Sequence, residues 1–133
     1  MKLVVFDLDD TLIDGSCCDK VLKDTLAVLD YLKKNHVLMA IASDNADALW
    51  YLKKNKLEGY FVAVEAFRAQ DKTPHLIRIL RETGILKSEC LLVDDCPENV
   101  ASCNTFGVKS MLVDHTVGVT FSDIQEIFKR TLV

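Results

Sequence analysis

Four carboxylates crowd the stretch VVFDLDDTLID, residues 4–14: Asp7, Asp9, Asp10 and Asp14. Aspartate is a poor strand residue, and neighbouring like charges raise each other's cost of ionisation. Acids placed where an apolar run ends therefore call for a chemical reason. Other polar residues stand at similar places: Ser43 closes VLMAIAS, Lys72 precedes Thr73-Pro74, and Asp94-Asp95 close CLLVDD, with Asn99 shortly after. Strand residues two apart point to the same side, roughly 6.6 Å apart along the chain. Asp7 and Asp9 can thus share one site if extended geometry persists, while Leu8 faces the interior. Several carboxylates meeting there would repel unless a cation neutralised them, and hard oxygen donors with room for water suit magnesium.

Bringing these residues together requires a sheet. The candidate strands are LVVF (3–6), VLMAIA (37–42), YFVAV (60–64), CLLV (90–93) and SMLV (110–113). Near-continuous apolar runs of this length fit parallel strands buried on both faces. Helical periodicity fills the intervals. The first helix is expected over about 20–34, with Leu22, Leu26, Leu29 and Leu32 on one face, and the second over about 46–54. The third has Thr73 as expected N-cap, Pro74 at its first position and Gly84 as its stop; the fourth runs from Pro97 to Gly107. Ser122 and Gln125 stand in capping-box spacing for a last helix. Alternating strands and helices predict a three-layer α/β fold with right-handed crossovers. In such sheets a ligand site lies beyond the carboxyl ends of the strands, where the polar residues above all fall.

Length and composition agree. The chain has 133 residues, 50% hydrophobic and 27% charged, the profile of one globular domain over 1–133. A net charge of −4 gives no general attraction to nucleic acid or anionic membranes. No apolar run approaches the roughly 20 residues that span a bilayer, and the N-terminal run enters an acidic loop without a signal peptide's cleavage region. Five cysteines, Cys17, Cys18, Cys90, Cys96 and Cys103, include no CxxC pair and fit reduced thiols in the cytoplasm or nucleus. Cys17 and Cys18 read as unpaired loop thiols. His36, His75 and His115 show no metal-ligand spacing and read as surface or packing residues. The pentapeptide YLKKN recurs at 31–35 and 51–55. It reads as two helices ending alike, with lysines at the negative helix end and an asparagine able to turn left-handed.

A lone DxD is common in acidic loops; the combination is specific. FDLDDTL, IAS, DKTP and LLVDDCPEN resemble, in order, the four motifs of the haloacid dehalogenase superfamily of phosphohydrolases, across residues 3 to about 114. The resemblance implies a Rossmann-like α/β/α fold on a central parallel five-stranded sheet, and a role for each matching residue. Asp7 would be the nucleophile that forms an aspartyl-phosphate, and Asp9 the general acid and then base. Ser43 and Lys72 would hold the phosphoryl oxygens, with Asp44 and Asn45 read beside Ser43 as substrate-binding. Asp95 would ligate magnesium with Asp7 and the backbone carbonyl of Asp9, while Asp94 and Asn99 complete or orient that shell. Thr11 would brace the turn. Asp10 and Asp14 match less informative positions and read as solvated turn residues. The acid at Asp9 favours phosphate esters over carbon–halogen bonds, since halide leaves without a proton.

Response-regulator receiver domains use a similar kit in a different order, with the acidic pair first and the lysine last. Here the adjacent acids come last, which rejects that reading. A phosphoryl-binding signalling domain, or a phosphotransferase to an acceptor other than water, is the alternative to hydrolysis. Between Asp9 and Ser43 there is room only for a short flap, a helix and a strand, and the interval from Ser43 to Lys72 is equally full. The site is expected to be capless, as in small magnesium-dependent phosphatases, and open to phosphorylated substrates as large as phosphoproteins. Asp19, Lys20, Asn45 and Arg68 are expected to line its approach.

Overall fold

An unbroken run of buried apolar residues starts the fold: β1 (Leu3–Phe6) is covered at every position. A small antiparallel ribbon of β2 (Ile13–Asp14) and β3 (Lys20–Val21) follows, then α1 (Thr25–Lys34), β4 (Leu38–Ser43), α2 (Ala48–Lys54) and β5 (Ala63–Ala66). The chain continues through α3 (Thr73–Thr83), β6 (Cys90–Asp94), α4 (Pro97–Phe106), β7 (Lys109–Leu112) and α5 (Phe121–Leu132). This computed structural model describes residues 1–16 and 20–132, the last three by their backbone alone. Cys17, Cys18 and Asp19 therefore lie outside the described residues.

The five long strands form one parallel sheet in the order β5-β4-β1-β6-β7. Its period-two alternation splits the core. Val4, Phe6 and Leu8 pack with Leu29, Leu32, Leu52, Ile124 and Phe128, which places α1, α2 and α5 on one face. Leu3 and Val5 pack with Leu76, Ile79 and Cys103, which places α3 and α4 on the other. The result is the three-layer α/β/α arrangement that the alternating pattern predicts. None of the described helices is long and apolar enough to cross a membrane.

Register fixes where the strands finish. Phe6 stands level with Ile41 of β4 and Val93 of β6, so the next residues, Asp7, Ala42 and Asp94, emerge side by side at the carboxyl edge. The Asp7 N–H donates to Val93 O at 3.0 Å, carrying the ladder one step further. Leu8 is fully buried in the same cluster as Val4 and Phe6, as the alternation requires.

Several element ends differ from the sequence reading, each for a local reason. Helix α1 begins at Thr25 rather than near Lys20, because Lys20 and Val21 pair with Asp14 and Ile13. Leu22 N–H and Thr25 Oγ1 then both bond Leu12 O, at 2.9 and 2.6 Å. Residues 58–60, expected partly in a strand, form a single 3-10 turn, and β5 starts later. The N-cap of α3 is Lys72 rather than Thr73. At α5 the Thr120 hydroxyl accepts the Asp123 N–H at 3.2 Å, so Thr120 takes the part assigned to Ser122.

The YLKKN echo is a repeated helix ending with a different left-handed residue. Asn35 and Asn55 keep φ near −93°, and the residues after them, His36 and Lys56, turn to φ 60° and 59°. Each asparagine side chain instead donates back to the tyrosine carbonyl that starts its repeat, Tyr31 at 2.8 Å and Tyr51 at 3.0 Å. One terminal carbonyl per helix is satisfied this way.

Candidate active site

Lys72 reaches the sheet edge from the start of α3 and ends between two strands. Its Nζ donates to Asp7 Oδ1 at 3.2 Å and to Ala42 O at 2.8 Å, with only 2% of the residue exposed. A lysine this deeply buried needs a partner of opposite charge, and Asp7 supplies it. Across β1 from β4 stand the acids of β6. One carboxylate oxygen each from Asp7, Asp94 and Asp95 lie within 4.8 Å of one another. Asp94 is fully buried and both its oxygens are occupied: Oδ1 accepts the Cys96 N–H at 3.0 Å and Oδ2 the Asn99 amide at 3.2 Å. Those bonds fix its orientation, whereas half-buried Asp95 opens on the same cluster.

The electrostatics are unbalanced. Burial, followed by the Asp94 and Asp95 carboxylates, pushes Asp7 well above the usual carboxylate range, against the opposing pull of Lys72. Burial also raises Asp94 to about 6. Among the described residues one ammonium faces three acids, so ionising all three leaves a net negative charge for a cation to offset. A hard divalent cation fits this all-oxygen donor set.

Asp9 stands beside this cluster and faces differently. Its Oδ2 accepts the Asn45 amide at 3.4 Å, and burial raises its pKa, the Asn45 bond opposing that shift. Asn45 belongs to a tight turn after β4: its N–H donates to Ser43 Oγ at 3.0 Å and its Oδ1 accepts the Asp47 N–H at 2.9 Å. The buried Ser43 hydroxyl thus accepts one bond and keeps its proton to donate. A cleft of about 290 Å³ opens next to Asp9, lined by Asp9, Asp10, Ile13, Asp14, Gly15, Asn45 and Tyr51.

Most of the expected residues meet, and some do not. Asp7, Lys72, Asp94 and Asp95 form one cluster, Asn99 holds Asp94, and Asp9 and Ser43 are joined through Asn45. Asp44 turns away: its Oδ1 accepts the Ala69 N–H at 3.3 Å and lies 3.9 Å from His75 Nε2. Thr11 is buried, yet its hydroxyl has no hydrogen-bond partner. It holds the turn through its backbone, whose carbonyl accepts the Val119 N–H at 2.9 Å. Gly118, at φ 79°, makes that approach possible, since a Cβ there would strike the Thr11 carbonyl. Asp10 and Asp14 serve their own loop, accepting from Gly15 N–H and from Ser16. Of the residues expected on the approach, Asn45 lines the cleft while Lys20 and Arg68 do not.

The sequence reading gave Tyr51 no place at the site and left His75 open between surface and packing. Tyr51 lines the cleft, although its place in a repeated pentapeptide suggested only a helix end. His75, read as a packing or surface residue, is fully buried within hydrogen-bond distance of the Ser43 carbonyl. The available signal was its spacing, one helical turn after Lys72.

The model of a family described as Acid Phosphatase matches residues 16–131, a stretch that starts after Asp7 and Asp9. The fold is similar to that of a haloacid dehalogenase-superfamily hydrolase from Ehrlichia chaffeensis, with TM-score 0.79, 17% identity and 100% coverage of both chains. A haloacid dehalogenase-like hydrolase from Streptococcus pneumoniae aligns with TM-score 0.76 at 12% identity, over 95% of this chain and 90% of that one. The N-terminal part of a Bacteroides fragilis protein, containing a phosphatase domain complexed with magnesium, aligns with TM-score 0.72 at 19% identity, over 91% of this chain and 38% of that one. No curated protein matches the chain.

Proposed function

This chain belongs to the acid phosphatase family of haloacid dehalogenase-like proteins, and from its site we propose that it hydrolyses phosphate monoesters through an aspartyl-phosphate on Asp7. The observation that carries this reading is the contact of Lys72 Nζ with Asp7 Oδ1 at 3.2 Å, beside the Asp94–Asp95 pair. It gives one carboxylate both an orienting ammonium and a place for a cation.

In the first step an Asp7 oxygen attacks phosphorus while the ester oxygen leaves and takes the proton of Asp9. The raised pKa of Asp9 keeps that proton available nearer neutral pH than an ordinary aspartic acid would. In the second step Asp9, now ionised, takes a proton from water, whose oxygen attacks the same phosphorus. The bond to Asp7 breaks, inorganic phosphate departs and the carboxylate is regenerated. Lys72 and the Ser43 hydroxyl supply positive charge and a donor to the non-bridging oxygens, where charge develops. Magnesium would be held by Asp7, Asp95 and the Asp9 carbonyl, with Asp94 and Asn99 orienting the set; once bound it supplies the positive charge the acids lack.

The interval between Asp9 and Ser43 holds the β2–β3 ribbon, α1 and β4, which supports an open site accepting phosphorylated substrates up to the size of a phosphoprotein. The test is turnover of p-nitrophenyl phosphate by the purified chain with magnesium, and its loss on chelation. Fewer than one phosphate released per chain would refute hydrolysis.

A further inference from the structure

His75 lies outside the chemistry above and is among the most constrained polar side chains of the described structure. It is fully buried. Its ring stacks on Phe67 with centroids 4.1 Å apart and planes 7° from parallel. Nε2 lies 2.8 Å from Phe67 O and 3.1 Å from Ser43 O. Both neighbours are carbonyl oxygens, which only accept, so Nε2 carries the proton. Nδ1 is buried without a partner; a proton there would be an unsatisfied donor. The ring is therefore the neutral tautomer with hydrogen on Nε2, and its burial lowers the pKa in the same sense.

The neighbours of this ring matter more than its own chemistry. Lys72 caps α3 and His75 sits in its first turn. Their side chains take consecutive carbonyls at the end of β4, Lys72 on Ala42 O and His75 on Ser43 O. The Ser43 carbonyl also accepts the Phe67 N–H at 3.0 Å. One imidazole N–H thus ties the strand end carrying Ser43 to the β5–α3 connection and to the helix turn carrying Lys72.

We propose that His75 is a positioning residue, its Nε2–H bridging the Ser43 and Phe67 carbonyls so that Ser43 and Lys72 meet the phosphoryl group in fixed relation. This rests on the phosphatase reading and deepens it. A misplacement of about 1 Å in a group that positions the reacting atoms can cost on the order of 100-fold in rate.

The test compares two variants of the full chain. His75→Phe keeps an aromatic ring against Phe67 and removes the N–H; His75→Gln returns an amide donor near the position of Nε2. With p-nitrophenyl phosphate and magnesium, His75→Phe should lower kcat by roughly 10- to 100-fold with little change in KM, and His75→Gln should recover most of it. Wild-type kcat in His75→Phe, or a loss in His75→Gln as deep as in His75→Phe at equal thermal stability, overturns the proposal. A second measurement needs neither turnover nor a variant: proton–nitrogen correlation of the labelled histidine ring. A proton on Nε2 with bare Nδ1 supports the bridge, and the opposite tautomer overturns it. A wild-type chain without turnover refutes the phosphatase reading instead and leaves the bridge to be judged on the ring spectrum.

Discussion

Lys72 and Asp7 lie 65 positions apart in the chain and 3.2 Å apart in the fold. The lysine makes this contact while its ammonium also bonds Ala42 O at 2.8 Å. An ammonium with only 3% of its side chain exposed and a carboxylate with 13% are coupled in a medium that screens poorly. The pair is thus the pivot of both stability and chemistry at the sheet edge.

Lys72→Met, similar in length but uncharged, should lower kcat at least 100-fold, the scale on which removing one stabilising donor acts. Breaking a buried pair costs about 3–5 kcal/mol when the remaining charge has no escape. Here Asp7 can take up a proton, so the melting temperature in EDTA should fall more at neutral pH than at mildly acidic pH. Steady-state kinetics and melts at two pH values check both statements.

Asp7→Asn should abolish turnover and leave the fold intact. Burial and two neighbouring acids already disfavour the Asp7 charge, so a neutral amide of the same shape removes that conflict. It also leaves the buried Lys72 ammonium without its nearest counter-charge, so metal-free Asp7→Asn is expected to fold but to melt below the wild type at neutral pH. Residual turnover above background would show that the nucleophile lies elsewhere.

The pH dependence of metal-free stability has a definite sign. Asp94 is raised from 3.8 to about 6 by burial, and Asp7 is raised for the same first reason. A carboxyl whose folded pKa exceeds its unfolded value favours the fold in its protonated form. That stability is complete below about 3.8 and is lost as pH rises through about 6. In EDTA the melting temperature should therefore decline across this window, and Asp94→Asn should flatten the decline. Magnesium favours the ionised acids, so the melting temperature it adds should grow with pH. A metal-free curve that rises over the same window would contradict the burial argument.

What the sequence made legible was set by period and punctuation. Unbroken apolar runs marked the five long strands, and Gly84 and Gly107, at φ 72° and 102°, marked helix stops. Parallel order then required Asp7, Ser43 and Asp94 to emerge on one edge. The β2–β3 ribbon leaves no signal because two-residue strands carry no period, and α1 therefore starts later than its apolar spacing predicts. Which side chains face the site was less visible than which residues stand near it. Asp44 and Asn45 are neighbours, yet Asn45 bonds Asp9 while Asp44 bonds the Ala69 N–H. A turn decides that difference, and turns leave a weaker trace in sequence than strands.

Asn45 gives the most direct probe of the acid. Its amide donates to Asp9 Oδ2 at 3.4 Å and stabilises the ionised form, partly offsetting the effect of burial. Asn45→Ala removes that donor, so the pKa of Asp9 should rise further. The first step needs Asp9 protonated, and kcat/KM therefore falls as pH passes the Asp9 pKa in the free enzyme. The descending limb of the kcat/KM profile should move to higher pH in Asn45→Ala. The variant also loses the turn bond from Asp47 N–H to Asn45 Oδ1, at a cost of about 1 kcal/mol in stability, the scale of one net hydrogen bond. That cost lowers the melting temperature but does not move the limb. A limb unchanged or shifted to lower pH would mean that Asp9 is not the acid it reports.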